Sequence, residues 1–297
     1  MKYKVAVVQM MIKESNKEKN LERALELLER AAQEGAKVVC FPDYFLTDTP
    51  TMDHTVDDIR KLAEPIPGPV TNKFSEKARE LNSYVVAGSI IEKGEDDKLY
   101  STSPFIDSNG KLIGKVRKSH PENAPAKREL DRGITPGPGD YPVFNTKIGK
   151  IGIMIDMDAV AVEVPRILGL KGAELIFWPV NFSAKFTGGI RMRSQFCSAS
   201  EHAYVATAAR AGWHKNVPIH DWAFFGETRR DLMFGGGSGI AFDGTYLAAV
   251  PDFSEGIAVA TIDTELPNKV RRQSWDVMPL LRRPETYGIL VKKQKPF

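Results

Sequence analysis

Lys150-Ile151-Gly152-Ile153-Met154-Ile155-Asp156-Met157-Asp158-Ala159-Val160-Ala161-Val162-Glu163-Val164-Pro165-Arg166 is the stretch on which the fold turns. Its first half is a short, nearly continuous apolar run, the pattern of a strand covered on both faces, and it stops abruptly at two carboxylates. Beyond them Val160, Val164, Ile167 and Leu168 recur at helical spacing, which predicts an amphipathic helix running to about Leu170. A buried strand that passes into a helix through a polar corner is the unit of an open α/β sheet, and such corners collect ligand-binding and catalytic groups. Asp156 and Asp158 are therefore functional candidates. The plainer alternative makes Asp158 a helix cap and Asp156 a solvated turn residue.

The strand that follows, Gly172-Ala173-Glu174-Leu175-Ile176-Phe177-Trp178-Pro179, has an echo in Gly35-Ala36-Lys37-Val38-Val39-Cys40-Phe41-Pro42. In each, a helix closes on Gly-Ala and a run of apolar residues leads to a proline. With a strand over 3–9 and a helix marked by Leu21, Ala24, Leu25, Leu28, Ala31 and Ala32, the chain carries two similar β-α-β units. No linker or low-complexity segment separates them, so residues 1–297 read as one domain, with 264–297 a C-terminal helix and tail that contacts another subunit.

Between the two units the sequence predicts a polar loop (47–58), a Pro-rich turn (65–69), a helix over 71–81, strands over 84–91 and 100–107, and an Asn109-Gly110 hairpin into a strand over 111–117. That hairpin delivers Lys118 and His120 to a long irregular segment, 119–140, read as a pocket wall because structureless loops of such length are mostly functional. A helix over 189–202 and a strand over 204–208 follow. Residues 212–236 read as a second long loop, crowded with Trp213, His214, His220, Trp222, Phe224 and Phe225, and Gly235-Gly236-Gly237 as a tight bend. An Asp243-Gly244 hairpin then joins strands over 238–242 and 246–250, ahead of a last strand over 256–263.

Composition excludes several classes. The chain has 297 residues, 42% of them hydrophobic, and a formal charge of +3 spread over mixed acids and bases, which is no electrostatic footprint for nucleic acid. No apolar run approaches the length of about eighteen residues that a membrane span needs, and the N-terminus reads as a strand rather than a signal peptide. A cytoplasmic protein is expected. Two cysteines, Cys40 and Cys197, are too few for a disulfide scaffold or a multi-cysteine metal site.

Several motifs together carry a family resemblance. Phe41-Pro42-Asp43-Tyr44-Phe45-Leu46, Gly114-Lys115-Val116-Arg117-Lys118-Ser119-His120, Thr135-Pro136-Gly137, Gly149-Lys150-Ile151-Gly152-Ile153, Gly172-Ala173-Glu174-Leu175-Ile176 and Arg283-Pro284-Glu285-Thr286-Tyr287 resemble, in order and spacing, the nitrilase (carbon-nitrogen hydrolase) superfamily. The resemblance implies an α/β fold, a four-layer α-β-β-α sandwich, in a homodimer or higher homo-oligomer. It also implies hydrolysis of small amides, nitriles or carbamoyl compounds without metal or cofactor, and a small-molecule partner rather than nucleic acid or membrane.

The family's chemistry uses a glutamate base, an oxyanion-stabilising lysine and a nucleophilic cysteine. By resemblance Lys118 matches the lysine, Asp43 stands at the base position one methylene shorter, and Asp156 stands at the elbow in place of the cysteine. Asp43, Lys118 and Asp156 are thus the catalytic candidates, and Tyr44, His120, Glu129, Asp158 and Asn181 the substrate-binding ones. Glu129 lies one position from the place, held here by Leu130, where many members carry a further glutamate. Cys40 in a buried strand and Cys197 within a helix are not expected to reach the elbow. Three readings follow: a non-cysteine mechanism on a small C-N compound using Asp156, Lys118 and Asp43; an inactive homologue that binds a small polar or cationic ligand or serves as an oligomeric regulatory protein; and a divalent-cation site of Asp43, Asp156 and Asp158, against which Lys118 argues.

Overall fold

The computed structural model describes residues 1–13, 16–47, 54–122, 129–221, 226–273 and 281–292. In chain order these form β1 (Lys2–Met11), α1 (Lys17–Gln33), β2 (Ala36–Cys40), α2 (Val56–Leu62), α3 (Pro69–Leu81), β3 (Tyr84–Val86), β4 (Ile90–Lys93), β5 (Leu99–Ile106) and β6 (Leu112–Arg117). Next come β7 (Val143–Thr146), β8 (Gly149–Ile153), α4 (Glu163–Leu170), β9 (Leu175–Val180), α5 (Thr187–Ser200), β10 (Tyr204–Asp221), β11 (Gly226–Gly235), β12 (Gly239–Phe242), β13 (Thr245–Ala249), β14 (Gly256–Asp263) and α6 (Glu265–Gln273).

The period-two alternation of the strands builds the layers. In β1, Val5 and Val7 face a core shared by both halves of the sheet, while Ala6 and Val8 face Leu27 and Leu28 of α1 and Phe74 of α3. In the second half, Ile151, Ile153 and Ile155 join the shared core, and Met154 turns the other way onto Val164 and Leu168 of α4. Each fully buried aliphatic side chain contributes about 2 kcal/mol. The result is two sheet halves packed face to face with helices outside both, the α-β-β-α sandwich expected.

β1, β2 and β3 run parallel, as do β8, β9 and β10, with antiparallel strands added around them. A short parallel contact, Met10 with Arg210 and Met11 with Ala211, joins the halves into one curled mixed sheet. The echo between the halves is physical. Gly35 and Gly172 both adopt positive φ, +88° and +84°, to turn the chain from helix into strand.

Several elements differ from expectation. The strand over 84–91 breaks at Ala87-Gly88-Ser89, where Gly88 has φ +52° and a side chain would strike the Pro42 carbonyl. Residues 56–62, which begin at the end of the polar loop expected over 47–58 and run past it, form α2, whose Thr55/Asp58 capping box is a readable start signal. β7 went unread. The helix over 160–170 begins at Glu163, because residues 156–159 form a 3-10 turn first. Most of the loop expected over 212–236 is the hairpin of β10 and β11, interrupted by a bulge between His214 and Val217. Trp222, Phe224 and Phe225, and residues 123–128 of the expected pocket wall, lie outside the described residues.

Candidate active site

Asp43, Lys118 and Asp156 each follow the end of a strand: β2, β6 and β8. Pairing of those strands brings residues far apart in sequence to one buried cluster. Lys118 Nζ donates to Asp156 Oδ2 at 2.8 Å and to Glu129 Oε2 and Oε1 at 2.8 and 2.9 Å. Its side chain is 1% exposed, so these three acceptors take all its hydrogens.

The elbow aims Asp156. Its φ of +46° is left-handed, at a cost of about 1 kcal/mol for a residue with a side chain. Trp178 Nε1 donates to the Asp156 carbonyl at 3.0 Å, and Asp158 N–H closes the turn onto the Ile155 carbonyl at 2.8 Å. Thus held, Asp156 Oδ1 accepts from the Asn181 backbone N–H at 3.1 Å while Oδ2 sits on Lys118. Asp156 is 6% exposed, so it is no solvated turn residue.

Asp43 is buried too. Its Oδ1 accepts a short hydrogen bond from Ser89 Oγ and a longer one, 3.4 Å, from Ser101 Oγ. Burial, with the charges of Asp156 and Glu129 adding to it, pushes the Asp43 carboxyl well above the usual carboxylate range; Lys118 and Ser89 oppose this. Burial alone would lower Lys118, but Asp156, Glu129 and Asp43 outweigh it and hold the ammonium well above its ordinary value. Tyr44, raised by burial and then by Glu129 and Asp43, donates its hydroxyl to Glu129 Oε1 at 2.7 Å. Glu129 also accepts from the Glu122 backbone N–H.

Asp158 does something else. Its Oδ1 accepts from the backbone N–H groups of Ser119 and His120 at 3.0 and 2.9 Å and lies 2.9 Å from His120 Nδ1, and its Oδ2 accepts from Ile155 N–H at 3.1 Å. It braces its own turn to the segment after Lys118 rather than capping α4. Asp43, Asp156 and Asp158 therefore do not converge as a cation site would require, and among the described residues no three His, Cys, Asp or Glu side chains are arranged to hold a metal ion. Cys40 lies in the core between the sheet halves and Cys197 on the inner face of α5. Burial raises both thiols, Cys197 up to about 12.

Residues 4–272 match the carbon-nitrogen hydrolase family. This chain belongs to that family. The omega-amidase NIT2 of Homo sapiens is 29% identical to it over 98% of this chain and 99% of the relative. Among solved structures, a carbon-nitrogen hydrolase from Helicobacter pylori G27 superposes with a TM-score of 0.81 at 21% identity, covering 99% of each chain. An amidase from Nesterenkonia sp. AN1, holding the acetamide moiety of fluoroacetamide covalently at its active-site cysteine, superposes at 0.74 with 17% identity over 96% of this chain and 95% of that one. At these identities the structural likeness is one of fold.

Two members of this buried cluster escaped the sequence reading: Ser89 and Ser101. The signal was there. Ser101-Thr102-Ser103 puts three hydroxyls into a strand that is buried throughout, and a buried hydroxyl demands a partner.

Proposed function

We propose that the pocket at Asp43, Lys118 and Asp156 takes a small carbon-nitrogen compound whose nitrogen end is positively charged, an amine or amidine, and that Asp156 stands where amidase relatives carry their nucleophilic cysteine. One observation carries this reading: the Asp156 carboxylate itself engages Lys118 Nζ and the Asn181 N–H. Acyl transfer needs donors free to receive the oxygen of a tetrahedral intermediate. Here a tethered carboxylate fills them, as a bound product would. A neutral amide must displace a charge from that seat, whereas a cation meets Asp156, Glu129 and Asp43 gathered around one lysine. Tyr44, Glu129 and Asn181 hold the charged cluster in place, and Asp158 and His120 position the loop. The apolar residues Leu281, Ile289, Leu290 and Val291, all exposed near the C-terminus, suit a contact between copies of the chain.

Thermal shift with acetamidinium and acetamide, equal in size and different in charge, tests the reading: acetamidinium stabilises the protein and acetamide does not. Equal stabilisation by both overturns it. A second reading, acid-base turnover of a small C-N compound without cysteine, is favoured by the Asp43 carboxyl, which burial raises well above the usual carboxylate range beside the Asp156 carboxylate. It requires ammonia release from a panel of amides, nitriles, N-carbamoyl compounds and amines, lost in Asp156→Asn. Asp156→Cys frees both donors and supplies a thiol, and is expected to bring amide hydrolysis from background to a measurable rate, since one oxyanion donor alone is worth about 100-fold or more.

A further inference from the structure

The hydrogens around Asp43 can be counted. Ser89 Oγ accepts from the Tyr44 backbone N–H at 3.1 Å and lies 3.0 Å from Ser101 Oγ, which is placed to donate to it. Its own single hydrogen is then directed at Asp43 Oδ1. Accepting that hydrogen, Oδ1 is an acceptor, so the acidic hydrogen of a neutral Asp43 sits on Oδ2; Ser101, whose one hydrogen goes to Ser89, orients the Ser89 hydroxyl. Among the described residues Oδ2 meets no hydrogen-bond donor or acceptor, yet it is not sealed in: it keeps accessible surface. The strong donors of the cluster among the described residues are committed to other carboxylates: Lys118 to Glu129 and Asp156, Tyr44 hydroxyl and Glu122 N–H to Glu129, Asn181 N–H to Asp156.

We infer that a cationic nitrogen ligand docks on Asp43 Oδ2 and in doing so expels the proton held there, with Ser89 and Ser101 selecting that oxygen as the site of exchange. The inference rests on the cationic-ligand reading above and deepens it by naming the seat. An N–H of the ligand and the O–H of Asp43 cannot point at each other, and Oδ1 already accepts the Ser89 hydroxyl. The O–H bond of the carboxyl therefore breaks, its proton passes to the buffer, and the ligand nitrogen stays protonated against the new carboxylate. The groups that face Asp43 set the balance: burial first, then the charges of Asp156 and Glu129 from beyond β8 and the loop, favour the protonated carboxyl, and Lys118 and Ser89 oppose them. A second positive charge tips it toward release. Ser89 and Ser101 are positioning residues in this scheme.

Calorimetric titration of the full chain with acetamidinium chloride, in phosphate and in Tris between about pH 5 and 9, reads the coupling as a buffer-dependent heat. About one proton is released per ligand, and affinity rises about tenfold per pH unit until free Asp43 ionises on its own. Asp43→Asn, which keeps the shape but supplies neither the carboxylate nor an exchangeable acid, binds acetamidinium more weakly, and the heat that remains has no buffer dependence. Ser89→Ala keeps the carboxyl and removes a donor that favours its charged form, so the pH dependence extends to higher pH; this variant carries the test if Asp43→Asn does not fold. Binding of acetamidinium to the wild type with equal heats in both buffers overturns the inference and leaves the cationic-ligand reading standing. Failure of acetamidinium to bind at any pH overturns both.

Discussion

Asp158 shows how much one side chain can organise. Fully buried, it ties the backbone of Ser119 and His120, just past Lys118, to the turn that aims Asp156, so two strand ends are fixed by a single carboxylate. Asp158→Ala leaves three backbone N–H groups without their acceptor and is expected to cost about 3 kcal/mol in urea unfolding. Its hydrogen bond and charge raise the His120 imidazole above its ordinary value of 6.5, although partial burial works the other way. A raised imidazole contributes stability that is fully present below about pH 6.5 and is lost as pH rises through the folded-state value. His120→Gln should therefore lower the melting temperature most below pH 6.5, with the deficit shrinking at higher pH; a deficit that grows with pH contradicts the pairing. Why Asp43, Lys118 and Asp156 were legible in the sequence while Ser89 and Ser101 were not is a matter of context at this scale. A charge at the abrupt end of an apolar run stands out, whereas a serine inside such a run looks like filler until the fold shows what it faces.

The hairpin of β5 and β6 carries Lys118 into the cluster, and its rigidity comes from a second buried carboxylate. Glu92 of β4 accepts from Thr102 of β5 at 2.6 Å and pairs with Lys115 at 2.6 Å and Arg117 at 2.9 Å, both on β6. One side chain thus locks three strands in register just before the site. Burial pushes Glu92 up, but Arg117, Lys115 and Thr102 outweigh it and hold the carboxyl below its ordinary range. A depressed carboxyl adds stability above its unfolded value, near 4.5, that is lost as pH falls through the folded one. Glu92→Gln should cost about 3 kcal/mol at neutral pH by stranding two cations, and the difference from wild type should vanish in acid, where Glu92 is protonated too. A deficit equal at neutral and acid pH would assign the loss to packing instead. Elements with a regular apolar period, such as β1, α1, β8 and β14, were readable, and so was the Asn109-Gly110 turn. The hairpin of β10 and β11 was not, because a bulge interrupts its alternation and its aromatic, histidine and proline content looks like a loop when no neighbouring strand is known.

At the scale of the molecule, the two sheet halves must keep a fixed relation, since Asp43 and Lys118 come from one and Asp156 from the other. The repeated Gly-Ala units foretold two similar layers, but nothing in their periodicity says how the layers are joined. The apolar contact between them is extensive and non-directional, and hydrophobic surfaces tolerate sliding better than hydrogen bonds do. Gln9, at the end of β1 and fully buried, supplies direction. Its Nε2 donates to the carbonyls of Pro251 and Ser254 at 2.8 and 2.9 Å, on the approach to β14, and its Oε1 accepts from Ser238 N–H at 3.0 Å, ahead of β12 in the other half. Gly236, with φ +84°, lets the backbone pass so close that a side chain there would come within 2.2 Å of Gln9 Oε1. The glycine triplet foreseen as a bend is thus also the seat of the joint. Gln9→Leu fills much of the space but leaves a buried N–H and two carbonyls unpaired, for an expected loss of about 3 kcal/mol. Urea unfolding should show the midpoint falling with the slope unchanged, because the same surface is exposed. Since Asp43 and Asp156 sit on opposite sides of this joint, the variant should also weaken acetamidinium binding more than Glu92→Gln does at equal residual stability. Equal binding in the two variants would mean that the shared apolar core alone holds the halves in register.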